Sequence, residues 1–183
     1  MASADLLLHP VRLRIVQTLL GHRALTTGDL AAELPDVPPA TLYRQVAVLA
    51  GAGVLEVVGE RKARGAVERT YRLVLEAATV GAEEAAAMDV EQHRRAFATF
   101  VAALLADFDR YLDRSEGTPD LARDGVGYRQ AAMWLTDDEF AGLLDELRTA
   151  VAPRMENRPA AGRRRRVLST VLLPGEPDGP RRE

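Results

Sequence analysis

Four polar side chains that can hydrogen-bond to the edges of planar groups lie close together in the sequence, and they are Thr41, Tyr43, Arg44 and Gln45. Arginine can donate two hydrogen bonds to guanine, and glutamine can pair with adenine in a similar way. Tyrosine could contact a phosphate or a thymine methyl group. Leu42, Val46 and Leu49 follow a helical spacing in the same segment, so we expect the polar side chains to lie off a buried stripe. The segment therefore predicts a helix with base-reading side chains; the alternative for each residue is an ordinary solvated helix face.

A second group of side chains is positively charged and surrounds a predicted turn, and its members are Arg61, Lys62, Arg64 and Arg69. Three cations within four positions repel one another unless an anion neutralises them. The phosphate backbone or the minor groove of DNA supplies such an anion. The alternative is a solvated turn that contacts no partner.

Residues suited to catalysis or metal binding are sparse. The three histidines, His9, His22 and His93, are scattered, and the absence of cysteine excludes disulfides and thiolate metal sites. Asp89 and His93 are four residues apart and could form half of a metal site between two subunits, although a solvated pair is the simpler interpretation. The sequence contains no Ser-His-Asp order, phosphate-binding loop or catalytic pair of carboxylates. We therefore expect no enzyme activity, no cofactor and no metal.

The elements that position the polar and basic groups follow from apolar spacing and from capping signals. Three helices and two strands are predicted, over Pro10–Leu20, Thr26–Leu34, Pro38–Ala50, Val54–Val58 and Val67–Leu75. Pro10 suits the first position of a helix, and Thr26 with Asp29 is a variant of the capping box. The two strands predict a hairpin whose connection, residues 59–66, carries most of the cations.

Over its first 75 residues the chain resembles the winged helix-turn-helix regulators of the ArsR and PadR type. The resemblance rests on four stretches in the right order, which are His9-Pro10-Val11-Arg12-Leu13-Arg14-Ile15, Ala40-Thr41-Leu42-Tyr43-Arg44-Gln45, Leu49-x-x-Ala52-Gly53-Val54-Leu55 and Glu68-Arg69-Thr70-Tyr71-Arg72-Leu73. It implies that the third helix enters the major groove of DNA and that the hairpin forms a wing beside it. It also implies a dimeric regulator of transcription. The alternative is a small helical domain that merely shares the pattern.

Residues 82–114 predict one long helix. Its apolar residues step by four, three, four and three positions, which is the spacing of a coiled-coil seam, and they are Phe97, Val101, Leu104, Phe108 and Tyr111. At ~1.5 Å per residue such a helix would reach about 50 Å, too long for one small domain to cover. We expect the seam to be a homodimer interface, with packing inside one chain as the alternative.

The C-terminal part predicts a strand, a helix and a strand, over Val126–Leu135, Thr136–Val151 and Arg163–Leu173. A capping box, Thr136 with Glu139, begins the helix. Four consecutive arginines, Arg163 to Arg166, could contact nucleic acid, but alternate residues of a strand face opposite ways. We therefore expect these arginines to pair with the acidic middle of the chain.

A group of large side chains surrounds the only tryptophan, Trp134, and its other members are Tyr128, Met133 and Phe140. Aromatic and methionine side chains suit an adaptable apolar pocket, so a small-molecule effector could bind here. The alternative is that these residues fill the core of the C-terminal part.

Composition and charge are consistent with a soluble globular protein, with 47% hydrophobic and 28% charged residues and a net charge of −3. Residues 1–75 carry a net charge of +2, residues 76–162 carry −8 and residues 163–183 carry +3. The acidic middle would repel DNA, whereas the first 75 residues could approach it. No apolar run is long enough to span a membrane, and the start of the chain lacks the pattern of a signal peptide. We therefore expect a cytoplasmic protein without a membrane partner.

The expected fold is mainly α with a winged-helix hairpin, followed by a long dimerising helix and a small α+β C-terminal portion. We expect a DNA-binding domain over residues 1–78, a dimerisation helix over 79–115, a regulatory portion over 116–173 and a disordered tail over 174–183. The expected function is sequence-specific binding of double-stranded DNA by a homodimeric transcriptional repressor. Two alternatives are a winged-helix module that binds proteins without touching DNA and a sensor that uses the C-terminal portion to bind an effector.

Overall fold

The computed structural model describes residues 4–63, 66–115 and 117–175, and the chain divides into two units, Met1–Pro119 and Asp120–Glu183. The elements in chain order are α1 (Ala4–Leu7), α2 (Pro10–Leu19), β1 (Ala24–Thr26), α3 (Thr27–Glu33), α4 (Pro39–Gly51), β2 (Leu55–Ala63), β3 (Ala66–Leu73), a 3-10 turn (Leu75–Ala78), α5 (Ala82–Ala87), α6 (Val90–Asp113), α7 (Leu121–Asp124) and α8 (Asp137–Met155). The three helices and the hairpin predicted for the first 75 residues are therefore confirmed, with ends that differ by a few residues.

The core of the first unit lies between α2, α3, α4 and the start of β2. Its fully buried side chains come from the three helices and from Val54, which directly precedes β2, and they include Ile15, Leu19, Leu30, Leu42, Leu49 and Val54. Full burial of one such side chain contributes about 1.5–3 kcal/mol before the entropy of ordering the chain is subtracted. The predicted apolar stripes are the faces that form this core.

The sheet has three antiparallel strands in the order β1-β3-β2. The strand β1 is absent from the sequence-based prediction, and its residues Ala24 to Thr26 pair with Thr70 to Arg72 of β3. Three residues are too few to show an alternating pattern, so only the presence of β3 beside them defines this strand. At the other edge, Gly53 has a φ of 73°, a left-handed conformation that glycine adopts without strain and that turns the chain from α4 into β2.

The long helix predicted over residues 82–114 is two helices, so that prediction is wrong near its N-terminal end. The second helix, α6, begins after Asp89, whose carboxylate accepts a hydrogen bond from the backbone N–H of Gln92. The side chain of Gln92 in turn accepts a hydrogen bond from the backbone N–H of Asp89. This reciprocal capping box starts a new helix. The whole predicted seam lies on α6, so the break leaves it intact.

The described part of the second unit, residues 120–175, contains α7 and α8 but no strand. The strands predicted over Val126–Leu135 and Arg163–Leu173 are therefore wrong for the single chain, and this portion is helical rather than α+β. A strand needs a neighbouring strand to satisfy its backbone groups, and neither segment finds one within this part of the chain. The capping box of α8 is confirmed. Residues 176–183, most of the predicted disordered tail, lie outside the described residues.

Candidate nucleic-acid interface

One side of α4 is a continuous solvent-facing stripe. The opposite side is buried, with Leu42, Val46 and Leu49 at most 2% exposed. The exposed side chains recur at the i, i+3, i+4, i+7 and i+8 positions that share one face of a helix, and they are Ala40, Tyr43, Arg44, Ala47 and Val48. Tyr43 is 59% exposed and Val48 is 40% exposed. The buried side thus fixes the helix while the other side stays free to meet a partner.

The structure keeps two of the predicted base-reading residues, Tyr43 and Arg44, at the centre of this stripe, and Thr41 lies half-buried at its edge. Sequence reasoning missed the apolar members of the stripe because small and apolar side chains carry no polar signal. Their helical spacing from Arg44 would have found them. An exposed valine such as Val48 is suited to contact a thymine methyl group.

The prediction that Gln45 reads a base is wrong for this geometry. Gln45 is only 5% exposed, and its Oε1 accepts a hydrogen bond of 3.1 Å from Nη1 of Arg12 on α2. The reason is helical spacing, because position 45 follows Leu42 by three residues and precedes Leu49 by four. Gln45 therefore lies within the buried stripe, where a polar side chain needs a partner, and it fixes the orientation of α4 against α2.

Cross-strand ion pairs occupy the outer half of the β2–β3 hairpin. Arg61 lies opposite Glu68 and donates to it at 2.7 Å, and Arg69 lies opposite Glu60 and donates to it at 2.9 Å. Glu68 raises the pKa of Arg61 and Glu60 raises the pKa of Arg69, in each case chiefly through the side-chain hydrogen bond. The charges of two predicted cations, Arg61 and Arg69, are thus neutralised by glutamates of the same hairpin. The sequence-based prediction considered only DNA as the neutralising partner.

The remaining predicted cations of the hairpin are Lys62 and Arg64. Lys62 is exposed and pairs in register with Val67, so no acidic residue lies directly opposite it. Arg64 lies outside the described residues. The hairpin therefore offers a mixture of paired and uncompensated charge rather than a purely basic surface.

Comparison with known families gives a match for this part of the chain. Residues 7–58 match a family model described as a helix-turn-helix domain. No curated protein matches the chain. The match covers α2, α3, α4 and the first residues of β2, which are the elements that form and display the α4 stripe. It supports a DNA-binding regulator of transcription, the general class that the sequence indicated.

Charge and packing join α6 to the helix-turn-helix domain. Arg14 of α2 forms a bidentate pair with Asp36 inside the domain, at 2.6 and 2.7 Å, and Asp107 of α6 pairs with Arg110 of the same helix. The hydrogen bond to Asp36, and to a smaller extent the charge of Asp107, raise the pKa of Arg14. Glu33 of α3 accepts hydrogen bonds from Arg23 at 2.8 Å and from Arg114, beyond the end of α6, at 3.0 Å. Ala103 of α6 is buried between these helices. The domain and α6 are therefore held together by packing and by charge.

The apolar seam of α6 faces away from this contact. Helical spacing places Phe97, Leu104 and Leu105 far around the helix from Ala103, and these three side chains are 48%, 40% and 59% exposed. Val101, Phe108 and Tyr111 are half-buried. Two of the five seam side chains, Phe97 and Leu104, are thus largely exposed, together with the neighbouring Leu105.

Replacing Glu33 with glutamine is expected to lower the free energy of unfolding by about 1–2 kcal/mol at neutral pH, because two charged hydrogen bonds are weakened. Hydrogen bonding by Arg23, and then by Arg114, lowers the pKa of Glu33 below its ordinary value. This stabilisation is present above the ordinary pKa of glutamate and is lost as the pH falls through the lowered value. Denaturant unfolding should be measured for Glu33→Gln and for the unmodified protein between pH 7 and pH 3. The difference between their free energies of unfolding should shrink below about pH 4.5.

Glu76→Gln, at an exposed position of the same unit, is the matched control and should leave stability unchanged within about 0.5 kcal/mol. A Glu33→Gln variant with the same stability at every pH would contradict a role for this carboxylate in joining α6 to α3.

The predicted effector-binding residues do not form an enclosed pocket. Tyr128 and Trp134 are 80% and 83% exposed, and Met133 and Phe140 are also exposed. Aromatic side chains reach a pocket only when a second layer packs over them, and residues 120–175 provide none. The predicted ligand pocket is therefore not formed by these residues within residues 120–175.

A cleft of about 470 Å³ lies elsewhere, where the start of α2 meets α6. Its lining includes His9, Arg12, Gln92 and Arg95. Burial, together with the charge of Arg12, lowers the pKa of His9. The side chain of His9 accepts a hydrogen bond from the backbone N–H of Val11, so it caps α2. This capping contact explains the position of His9, and no bound ligand is needed to explain it.

Neither metal binding nor membrane insertion finds support in the described residues. Across residues 4–63, 66–115 and 117–175, the His, Asp and Glu side chains form no group of three or more that could hold a metal ion. The carboxylate of Asp89, half of the pair considered with His93, caps α6 instead. No helix within these ranges is both long and apolar enough to cross a bilayer.

Proposed function

We propose that this protein is a sequence-specific, homodimeric repressor of transcription of the ArsR and PadR winged-helix type. The observation that carries the proposal is the exposed stripe of α4, with Tyr43 and Arg44 at its centre, in a domain that matches a helix-turn-helix model. A helix held from behind by a packed core can enter the major groove, where arginine reads guanine and apolar side chains contact thymine methyl groups.

The hairpin supplies contacts to the DNA backbone beside α4. Lys62 carries an uncompensated charge, and Arg61 and Arg69 can exchange their glutamate partners for phosphates. Both ion pairs are exposed, so each contributes little to stability and is readily replaced by a contact with phosphate. These contacts strengthen binding to every sequence, whereas those of α4 select the site.

The seam of α6 joins two copies. Two identical domains related by a twofold axis match a palindromic site whose half-sites lie about one helical turn apart. Selection of bound duplexes from a random pool, followed by footprinting on the selected sequence, tests this directly. We expect a roughly palindromic consensus. A protein that is folded and dimeric yet binds no duplex at low salt would instead be a protein-interaction module.

Replacing Glu68 with glutamine is expected to strengthen binding to all duplexes. The change removes the carboxylate that competes with phosphate for Arg61. We expect a several-fold rise in affinity at low salt and a slope of log affinity against log salt that is steeper by up to about one, measured by fluorescence anisotropy. The control is Glu83→Gln at an exposed position of α5, which should change neither quantity. An unchanged salt slope for Glu68→Gln would show that Arg61 stays away from the DNA backbone.

A further inference from the structure

The described part of the second unit, residues 120–175, has no core of its own. None of its described residues, 120–175, is buried, although α8 is 19 residues long and begins with a complete capping box. An isolated helix of this length is only marginally stable in water, because most helical stability in proteins comes from packing an apolar face. The unit therefore requires a surface that it does not itself supply.

The apolar residues that lack cover are organised rather than scattered. On α8, Phe140 and Leu147 are exposed and lie two turns apart on one face. On either side of α8, the segments 126–135 and 163–173 carry Trp134, Leu168 and other exposed large apolar side chains. Each segment contains three β-branched or aromatic residues of the kind typical of strands, yet the structure pairs neither segment with another strand in residues 117–175.

Charge indicates what covers this surface. The first half of α8 carries five acidic residues, Asp137, Asp138, Glu139, Asp145 and Glu146, and the second flanking segment begins with four arginines, Arg163 to Arg166. No described carboxylate lies within ion-pair distance of Arg163, Arg164 or Arg166; Arg163 and Arg166 donate to the neutral backbone carbonyls of Arg158 and Asp124 instead. Within the described residues, these three arginines therefore do not make the pairing with acidic residues that the sequence predicted.

A surface that carries both an acidic and a basic patch is complementary to itself. In a contact between two identical copies related by a twofold axis, the acidic half of α8 in one copy can face the arginines of the other, and the reverse contact forms at the same time. Area supports the same partner. Trp134 and Phe140 would each bury about 150–250 Å² if fully covered, a substantial part of the ~800 Å² per partner of a standard interface.

We propose that the unit formed by residues 120–175 is completed by a second copy of the chain. Segments 126–135 and 163–173 pair with strands of the partner copy, and the apolar face of α8 is covered in the same contact. The proposal goes beyond the proposed function, because it concerns a surface separate from the α6 seam and does not depend on DNA.

The only tryptophan of the chain provides a direct probe. On concentrating the full-length protein through the range in which dimers form, we expect the emission of Trp134 to shift to shorter wavelength, because its ring leaves water. Sedimentation run on the same samples should show the shift and the dimer mass rising together. Emission that is independent of concentration across that range would overturn the proposal, since it would place the cover within the same chain.

Charge exchange between two variants tests the partner independently. The first variant replaces all four residues Arg163 to Arg166 with glutamate, and the second carries Asp145→Arg and Glu146→Arg. Both variants also carry Leu104→Glu, so that the α6 seam does not supply the dimer. Each should associate more weakly than the Leu104→Glu protein, and an equimolar mixture should recover the blue-shifted emission and the dimer mass. The first variant mixed with the Leu104→Glu protein is the matched control and should show no more than the shift of its Leu104→Glu half.

The outcome of the mixing experiment is decisive in both directions. Recovery in the mixture cannot arise from a contact within one chain, because each chain still carries its own unfavourable charges. Absence of recovery, with helix content unchanged by circular dichroism, would overturn the proposal. Neither readout involves DNA, so a failure of DNA binding would leave this result intact. In a Leu104→Glu variant, which affects only the α6 seam, the blue shift should persist at high protein concentration.

Discussion

Replacing Arg44 with alanine is expected to weaken operator binding by about 1–3 kcal/mol, or roughly 5- to 150-fold, and to relax the sequence preference at one position of each half-site. Arg44 lies in the centre of the exposed α4 stripe, and no described carboxylate lies within ion-pair distance of it. Its guanidinium group is therefore available for a bidentate contact with guanine. Titration of labelled operator and of a scrambled duplex by fluorescence anisotropy measures both the loss and the change in preference.

The Arg44 experiment has a simple control, because the side chain is exposed and its loss leaves the core intact. Thermal unfolding of Arg44→Ala should match that of the unmodified protein. Arg148→Ala removes an exposed arginine from α8 and should leave operator affinity unchanged. If Arg44→Ala weakened binding to the operator and to the scrambled duplex equally, Arg44 would contact phosphate and would not contribute to sequence recognition by α4.

Replacing Leu104 with glutamate is expected to raise the dimer dissociation constant by roughly a hundredfold or more. The seam contributes the same residue from each copy, so two unpaired charges would have to be buried together. Operator affinity should fall as well, because at low protein concentration each monomer contacts one half-site only. Sedimentation equilibrium gives the dissociation constant, and anisotropy gives the affinity.

Ala102→Glu is the matched control for this prediction. Ala102 lies on the same helix and is exposed, but it lies outside the seam and away from the face of Ala103 that contacts α2. The same charge introduced there should leave the dissociation constant and operator affinity nearly unchanged. Equal behaviour of the two variants would show that the α6 seam is not a dimer interface.

Local signals predicted most of the first unit. The proline at the start of α2, the Thr26–Asp29 capping box of α3 and the apolar spacing of α4 each describe contacts within a few residues, so they can be recognised in the sequence. The same rules explain two errors. The Asp89–Gln92 capping box lies within a continuous helical pattern, so it was overlooked as a helix start. Gln45 was predicted to face solvent, although its spacing from Leu42 and Leu49 assigns it to the buried stripe of α4.

Periodicity and capping signals could not predict contacts between distant parts of the chain. Arg114 and Glu33 are 81 residues apart, and nothing near either residue indicates that they meet. The pairing of Arg61 with Glu68 depends on the register of β2 against β3, which follows from the turn and from the packing of the sheet. In the second unit, alternating residues predicted two strands, but a strand exists only where another strand accepts its hydrogen bonds.

The sequence by itself determined the helix-turn-helix elements, the face of α4 that carries Arg44 and the apolar seam of α6. These depend on helical periodicity and capping, which are properties of short segments. Tertiary structure alone decided that Gln45 is buried against Arg12, that glutamates form ion pairs with Arg61 and Arg69 of the hairpin and that residues 120–175 have no core of their own. The physical reason is that burial and charge pairing depend on which distant surfaces meet, and a periodic pattern shows only that a residue can be covered, without showing what covers it.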